Sequence, residues 1–95
     1  MSHYLTESIF MQNIVHHPED CTFKLDDTAD SARLDYEQTN SHSVNFTSTY
    51  VPFRLRGKGI AEQLVKTGLQ WAEDNKLSIT TSCWYVEKYM AEQKK

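Results

Sequence analysis

The sequence has few of the residues on which specialised protein classes depend. Its 95 residues include two cysteines, two prolines and three glycines. Two cysteines are too few for a disulfide framework, so Cys21 and Cys83 are expected to be thiols in a reducing compartment. The sequence also lacks an apolar run of about 18 residues and a signal-peptide pattern at its N-terminus. These absences predict a cytoplasmic protein with no membrane partner.

Positive charge is in short supply as well. The chain has 10 Lys and Arg residues against 13 Asp and Glu residues, and its formal net charge is -3. A chain with this balance cannot form a broad basic surface, so we expect no nucleic-acid partner. The length predicts one domain with a modest core, which we place at residues 14–95. The preceding extension, residues 1–13, has too weak a pattern to distinguish a strand, a helical turn and a flexible arm.

Alternating apolar and polar residues predict three antiparallel strands in the first half of the chain. The alternation is found in residues 21–25, 32–36 and 44–50. In the third segment, a period of two places on one face Val44, Phe46, Ser48 and Tyr50. Turn-forming residues separate the segments, which is typical of strands joined by hairpin loops.

The second half of the chain predicts a helix, a strand and a second helix. From Gly59 the hydrophobic period becomes that of an amphipathic helix, which Asn75 is expected to end in the left-handed conformation. The β-branched segment 77–82 predicts a strand, and Ser82 or Cys83 is expected to open the final helix. The fold class is therefore α+β: an antiparallel β-β-β unit followed by α-β-α, with two helices packed on a mixed sheet.

Basic residues and glycines are concentrated between the third predicted strand and the first helix. Residues 54–61, with the sequence RLRGKGIA, carry three positive charges and two of the three glycines. A helix start attracts an anion through its N–H groups and its dipole, and glycines let the anion approach the backbone. The segment matches neither GxxxxGK[ST] nor GxGxxG. It predicts either a phosphate site outside the common nucleotide-binding folds or a glycine-eased turn with solvated charges.

This segment resembles the acetyl-CoA loop of the GNAT N-acetyltransferase superfamily, whose signature is Arg/Gln-x-x-Gly-x-Gly/Ala. Arg56, Gly59 and Ala61 fill the signature. Together with the strand that leads to Cys83, this segment extends the match to about positions 14–92. Over that range the chain resembles the small YjdJ-type branch of the superfamily. The resemblance implies that pyrophosphate lies on the loop and that pantetheine runs between the third and fourth predicted strands. The cofactor-binding residues that it implies are Val51, Arg56, Gly57, Lys58, Gly59, Ile60 and Ala61.

The resemblance also implies transfer of an acetyl group to an amine. Members of this branch carry His and an acidic residue where this chain has Ser48 and Tyr50. An amine with a pKa of about 10 is mostly protonated at neutral pH, so its transfer benefits from a group that accepts the proton. The substitutions therefore keep open a CoA-binding or acyl-CoA-binding module without catalysis. A structural interaction domain is a third alternative, from which the glycine loop distinguishes the other two because the loop predicts ligand binding. The sequence identifies neither the amine acceptor nor the oligomeric state.

Cys83 and Tyr85 are the candidate catalytic residues. Cys83 is expected to lie beside the acetyl group, either as a nucleophile that forms an acetyl-cysteine or as a packing residue during direct transfer. Its position at a helix start predicts a lowered thiol pKa. Tyr85 follows it closely and is expected to protonate the departing thiolate.

Two histidines near two acidic residues raise the question of a metal site. His16 and His17 precede Glu19 and Asp20, but adjacent side chains in an extended segment point apart, and no second cluster supplies further ligands. We therefore expect no metal. Residues expected to pack in the core are Cys21, Trp71, Trp84 and Tyr89.

Overall fold

The structure is a computed structural model that describes residues 14–26 and 30–93; the N-terminal extension predicted at residues 1–13 lies outside them. The strands are β1 (Val15–His17), β2 (Thr22–Lys24), β3 (Arg33–Asn40), β4 (Ser43–Tyr50) and β5 (Ser78–Thr81). The helices are α1 (Ile60–Asp74) and α2 (Trp84–Gln93), and 3-10 turns occupy Pro18–Asp20 and Phe53–Leu55. The predicted α+β class is confirmed, with β1 as an additional strand.

The five strands form one mixed sheet in the order β1-β2-β3-β4-β5. The first four are antiparallel neighbours, and β5 pairs parallel to β4 after the crossover through α1. Neither helix in the described part of the chain is long and apolar enough to span a membrane.

The hydrophobic core of the described residues lies between one face of the sheet and the two helices. The sheet contributes Phe23, Leu34, Tyr36, Val44 and Phe46, the helices contribute Leu64, Val65, Ala72 and Val86, and Ala32 joins them from the residue that precedes β3. Gly68 of α1 lets the helix approach the sheet closely. A Cβ atom at this position would lie 2.6 Å from Leu34 Cδ2 and 3.1 Å from Phe46 Cε1. The apolar face of the sheet and the apolar face of α1 therefore pack closely against each other at Gly68.

A bulge at Thr47 changes which side chains of β4 face the core. Phe46 pairs with Tyr36, but Ser48 pairs with Asp35, so Thr47 has no counterpart on β3. Neighbouring positions of a paired strand face opposite sides, and the extra residue therefore reverses the alternation. Ser48 lies on the outer face beside Asp35, away from the core. The prediction that Ser48 and Tyr50 share the face of Phe46 is wrong for this reason.

Three local predictions also need correction. Asn75 ends α1 with φ -99, and the left-handed residue is Lys76, with φ 58. Cys21 lies in a turn with φ 54 before β2, where it is half-buried against the core and not on a strand. Trp84 is 70% exposed, because it points away from the core at the start of α2.

Candidate functional site

The parallel ladder between β4 and β5 is shorter than β4 itself. Pairing runs from Ser43 opposite Ser78 to Phe46 opposite Thr81, and the N–H of Ser82 donates to the Phe46 carbonyl at 2.9 Å. Within the described residues, positions 47–50 of β4 have no partner on β5. The β5-facing edge of β4 is therefore available to an extended ligand with amide groups, which can add hydrogen bonds as a further strand would.

The loop between β4 and α1 is shaped by Arg56 and two glycines. Arg56 Nε donates to the carbonyl of Val51 at 2.9 Å, which closes the loop on the end of β4. Gly57 and Gly59 have φ values of 80 and 76, a left-handed conformation that disfavours other residues. A Cβ atom added at either glycine would meet nothing within 4 Å, so the space beside the loop is open.

Gly59 is the N-cap of α1, and no side chain among the described residues caps this helix. The N–H groups of the first turn, from Ile60 to Glu62, have no intrahelical acceptors. They lie at a cleft of about 200 Å³, where the helix dipole is positive. The cleft is lined by Val51, Leu55, Arg56, Gly57, Gly59, Ile60, Ala61, Glu62 and Tyr85.

The cleft brings together most of the residues singled out from the sequence. Lys58 is exposed and does not line it. Leu55 and Glu62 were missed by sequence reasoning, because they lie outside the loop signature. Glu62 could have been found, because it lies in the first turn of the helix predicted to begin at Gly59, whereas Leu55 lies in a 3-10 turn that the sequence pattern did not predict.

Cys83 is the N-cap of α2, which decides between the two capping residues considered. Its carbonyl accepts the N–H of Glu87 at 3.1 Å, and its own N–H donates to Thr81 Oγ1 at 3.0 Å. Cys83 Sγ lies 3.6 Å from Thr49 Oγ1, just beyond the end of the β4–β5 ladder. The thiol therefore joins the end of β5 to the bulged segment of β4.

Two opposing influences act on the Cys83 thiol. Burial is the largest and raises its pKa, but hydrogen bonds from the first turn of α2 and from Thr49 outweigh burial. The pKa is consequently lowered from its ordinary value of 9.0, in the direction predicted for a helix start. Tyr85 behaves in the opposite way. Burial, followed by the charges of Glu62 and Glu92, raises the pKa of Tyr85, so its hydroxyl keeps its proton at neutral pH.

Ser48 belongs to a hydrogen-bond network on the outer face of the sheet. Its hydroxyl donates to Asp35 Oδ2 at 3.1 Å. The same carboxylate accepts a hydrogen bond from Thr22 Oγ1 at 2.7 Å and from Arg33 Nε at 3.1 Å. Asp35 was not recognised from the sequence, because its distance from Ser48 depends on the register between β3 and β4.

Tyr50 lies on the same outer face. Its hydroxyl donates to Asp30 Oδ1 at 2.7 Å, and the guanidinium carbon of Arg33 lies 4.9 Å from the ring centroid. The hydrogen bond to Asp30 is the main cause that raises the pKa of Tyr50. Tyr50 therefore keeps its proton at neutral pH and is unsuited to accept one from an amine.

The two histidines of β1 have different environments. His16 stacks on Phe23 with ring centroids 4.2 Å apart, and its Nε2 lies 2.6 Å from Tyr36 Oη, so its role is in packing. His17, Glu19 and Asp20 place ligand atoms within 4.8 Å of one another. This arrangement lies at the β1 edge of the sheet, and the absence of a metal there remains a prediction.

The comparisons with known proteins agree with the loop and the fold. A family model described as GCN5-related N-acetyl-transferase matches residues 22–95, more than half of the chain. The chain is 37% identical over 71 residues to Protein NATD1 of Gallus gallus and of Homo sapiens, and 31% identical over 71 residues to that of Danio rerio. These matches cover 75% of this chain and 63 to 64% of the relatives. The chain therefore spans less than two thirds of the length of these relatives.

Proposed function

The chain belongs to the GCN5-related N-acetyltransferase family, as the loop motif predicts, and we propose that it binds acetyl-CoA and transfers the acetyl group to an amine. The observation that carries this proposal is the cleft that joins the Arg56–Ala61 loop to Tyr85 of α2. Assignment to the small YjdJ-type branch and a cytoplasmic location remain predictions from the sequence.

The start of α1 fits a pyrophosphate. Its first-turn N–H groups have no side-chain cap among the described residues, and the helix dipole adds about half a positive charge. The open space beside Gly57 and Gly59 allows an anion to approach the backbone. We assign the diphosphate to the N–H groups of residues 57–61, with Lys58 as an exposed positive charge beside them.

The unpaired edge of β4 fits the amide-bearing pantetheine arm. Residues 47–50 extend past the end of β5 and lead directly to Val51, which lines the cleft. An extended arm at this edge connects the loop with Thr49 and Cys83. We therefore place the thioester beside Cys83, where the β4–β5 ladder ends.

Bound acetyl-CoA supplies a thioester whose acetyl carbon is open to attack by an amine. Tyr85 lines the same cleft and holds its proton at neutral pH. It is therefore suited to donate that proton to the departing thiolate.

Direct transfer suits Cys83 better than an acetyl-cysteine does. The lowered thiol pKa comes from hydrogen bonds that stabilise the thiolate, and a thiolate of lower pKa is also a weaker nucleophile. Acetylation of Sγ would weaken these hydrogen bonds at the start of α2. We infer that Cys83 packs against the acetyl group and that the amine attacks without a covalent intermediate on the protein.

A non-catalytic acyl-CoA-binding module is the second candidate. It is favoured by Tyr50, whose hydroxyl donates to Asp30 and cannot take the proton of an amine. Both candidates require acetyl-CoA binding, whereas a structural interaction domain does not. Release of free CoA in the presence of an amine separates the enzyme from the module.

Thermal denaturation with acetyl-CoA tests the binding that both candidates require. If only the folded chain binds, ligand at 100 times Kd adds about 2.7 kcal/mol to the free energy of unfolding. For a domain of this size, each kcal/mol raises Tm by roughly 4 to 8 °C. An unchanged Tm at millimolar acetyl-CoA would overturn the proposed function.

A pair of asparagine variants tests whether the backbone of the loop holds the ligand. Gly59→Asn places a side chain at a left-handed position of the loop, and Asn tolerates this conformation better than most residues. Lys76→Asn is the matched control, because Lys76 is also left-handed but does not line the cleft. Gly59→Asn should abolish the Tm shift, and Lys76→Asn should retain it. Equal shifts in both variants would contradict the assignment to the loop.

A further inference from the structure

The outer face of β4 presents a side chain whose hydrogen-bonding direction is fixed. We propose, building on the proposed function, that Ser48 accepts a hydrogen bond from the amino group of the acceptor and that Asp35 positions Ser48 to do so. Ser48 is exposed and directly precedes Thr49, whose Oγ1 lies 3.6 Å from Cys83 Sγ, so the two residues present opposite faces of β4 at the point where the β5 ladder ends.

A serine hydroxyl group has a single proton to donate. Ser48 Oγ has one hydrogen and two lone pairs, and the hydrogen is directed to Asp35 Oδ2 at 3.1 Å. The lone pairs that remain can only accept. A ligand at Ser48 must therefore bring an N–H or O–H donor, and a group that carries neither gains no hydrogen bond there.

Asp35 is itself held in place, which makes this direction persistent. Thr22 Oγ1 lies 2.7 Å from its Oδ1 and Arg33 Nε lies 3.1 Å from its Oδ2. Both are donors, so the carboxylate cannot turn away from Ser48 without losing them. Donation to a carboxylate also polarises the Ser48 hydroxyl and strengthens its oxygen as an acceptor.

Tyr50 repeats the arrangement two residues along the strand. Its hydroxyl donates to Asp30 at 2.7 Å, which leaves Tyr50 Oη as an acceptor. Arg33 Nε lies 3.1 Å from the Asp35 carboxylate, and Arg54 Nη2 donates to the backbone carbonyl of Asp30 at 3.1 Å. Because each acidic residue has a cation beside it, we expect recognition to depend on N–H donation and not on negative charge alone.

Two probes of equal charge separate donation from charge. Nα-acetyl-lysine amide carries an ammonium group with N–H donors, and its trimethyl-lysine counterpart carries the same charge without them. In NMR titrations of the full chain, we expect the lysine probe to shift the backbone amides of Ser48 and Asp35. The trimethyl probe should bind at least about tenfold more weakly, the effect of one lost hydrogen bond to a charged group.

Four variants test whether the preference for an N–H donor depends on Ser48 and Asp35. Ser48→Ala removes the acceptor and should weaken binding of the lysine probe by about tenfold. Asp35→Asn removes the carboxylate charge that holds the hydrogen of Ser48 and polarises its hydroxyl, and it should weaken binding of the lysine probe in the same direction. Ser48→Thr retains the hydroxyl and should restore binding. Glu37→Gln removes an equal charge at an exposed position of β3 and should change the affinity by no more than about twofold.

The outcomes are distinguishable from a failure of the proposed function. Ser48→Ala and Asp35→Asn should keep the Tm shift with acetyl-CoA, because they leave the loop intact. Absence of that shift in the unmodified chain would contradict the proposed function and not this inference. The inference is overturned if the trimethyl probe binds as tightly as lysine, if Ser48→Ala keeps the affinity, or if neither probe binds. Equal losses in Asp35→Asn and Glu37→Gln would also overturn it, since they would indicate a general charge effect.

Discussion

Gly68 offers a quantitative test of how α1 is seated on the sheet. A Cβ atom at this position would lie 2.6 Å from Leu34 Cδ2 and 3.1 Å from Phe46 Cε1, and both neighbours are fully buried. Gly68→Ala gains about 1 kcal/mol of helix propensity. Overpacking a core of this kind costs about 1 to 3 kcal/mol. We expect a net loss of about 1 kcal/mol, which lowers Tm by roughly 4 to 8 °C.

A double-mutant cycle in urea or thermal denaturation isolates the steric cause. Leu34→Val removes the Cδ2 methyl group that the new Cβ atom would meet, at a cost of about 1 kcal/mol by itself. In that background Gly68→Ala should be neutral or stabilising, because the helix-propensity gain remains and the nearest clash is gone. If Gly68→Ala stabilises the unmodified chain by the full propensity gain, the close packing of α1 against β3 is refuted.

Gly68→Ala should also change the position of the cofactor loop and so affect ligand binding. Gly68 lies nine residues after Gly59, or roughly 13 Å along the helix at about 1.5 Å per residue. Displacing α1 from the sheet moves its N-terminal N–H groups relative to the edge of β4. Acetyl-CoA affinity, measured by calorimetry, should therefore fall in Gly68→Ala and recover in the double variant with Leu34→Val.

Four further predictions concern single side chains. Thr49→Val removes a hydrogen bond from the Cys83 thiol and should raise its pKa, so alkylation by iodoacetamide, followed by mass spectrometry, should require a higher pH. In the unmodified chain Cys83 should react faster than Cys21 and acetyl-CoA should protect it; the reverse order would contradict its placement. Lys58→Ala should weaken acetyl-CoA binding modestly and reduce its salt dependence in calorimetry, and an unchanged salt slope would exclude Lys58 from the ligand's field. Burial lowers the pKa of His16 from 6.5, so stability present above pH 6.5 should be lost as the pH falls through the folded-state pKa. His16→Gln should flatten this part of the urea-denaturation profile, and an unaltered profile would assign the pH dependence elsewhere.

The elements that were predictable from the sequence are those with long or local signals. The amphipathic period of α1 extends over 15 residues, and the glycine loop precedes it within a few positions. In contrast, β1 has three residues, too few to show alternation. Its place is fixed by contacts between distant residues, such as the stacking of His16 on Phe23 and its hydrogen bond with Tyr36.

The candidate site divides in the same way. The loop residues could be predicted because they form one contiguous motif around Gly59. The contacts of Cys83 with Thr49 and of Ser48 with Asp35 could not, since they join positions 34 and 13 residues apart. Such contacts depend on strand register, which a period-two pattern leaves open wherever a bulge intervenes.

β4 shows how a single irregular residue builds both sides of the proposed site. Phe46 is buried, and Val51, five positions later, also packs against the core. Val51 follows the end of β4, and the register of β4 with β3 omits Thr47, so the alternation changes parity between Phe46 and Val51. Because the bulge coincides with the end of the β5 ladder, it turns Ser48 toward the outer face and Thr49 toward Cys83 at the point where β4 gains a free edge. The proposed thioester position and the proposed acceptor position therefore both depend on Thr47 being the bulged residue of β4.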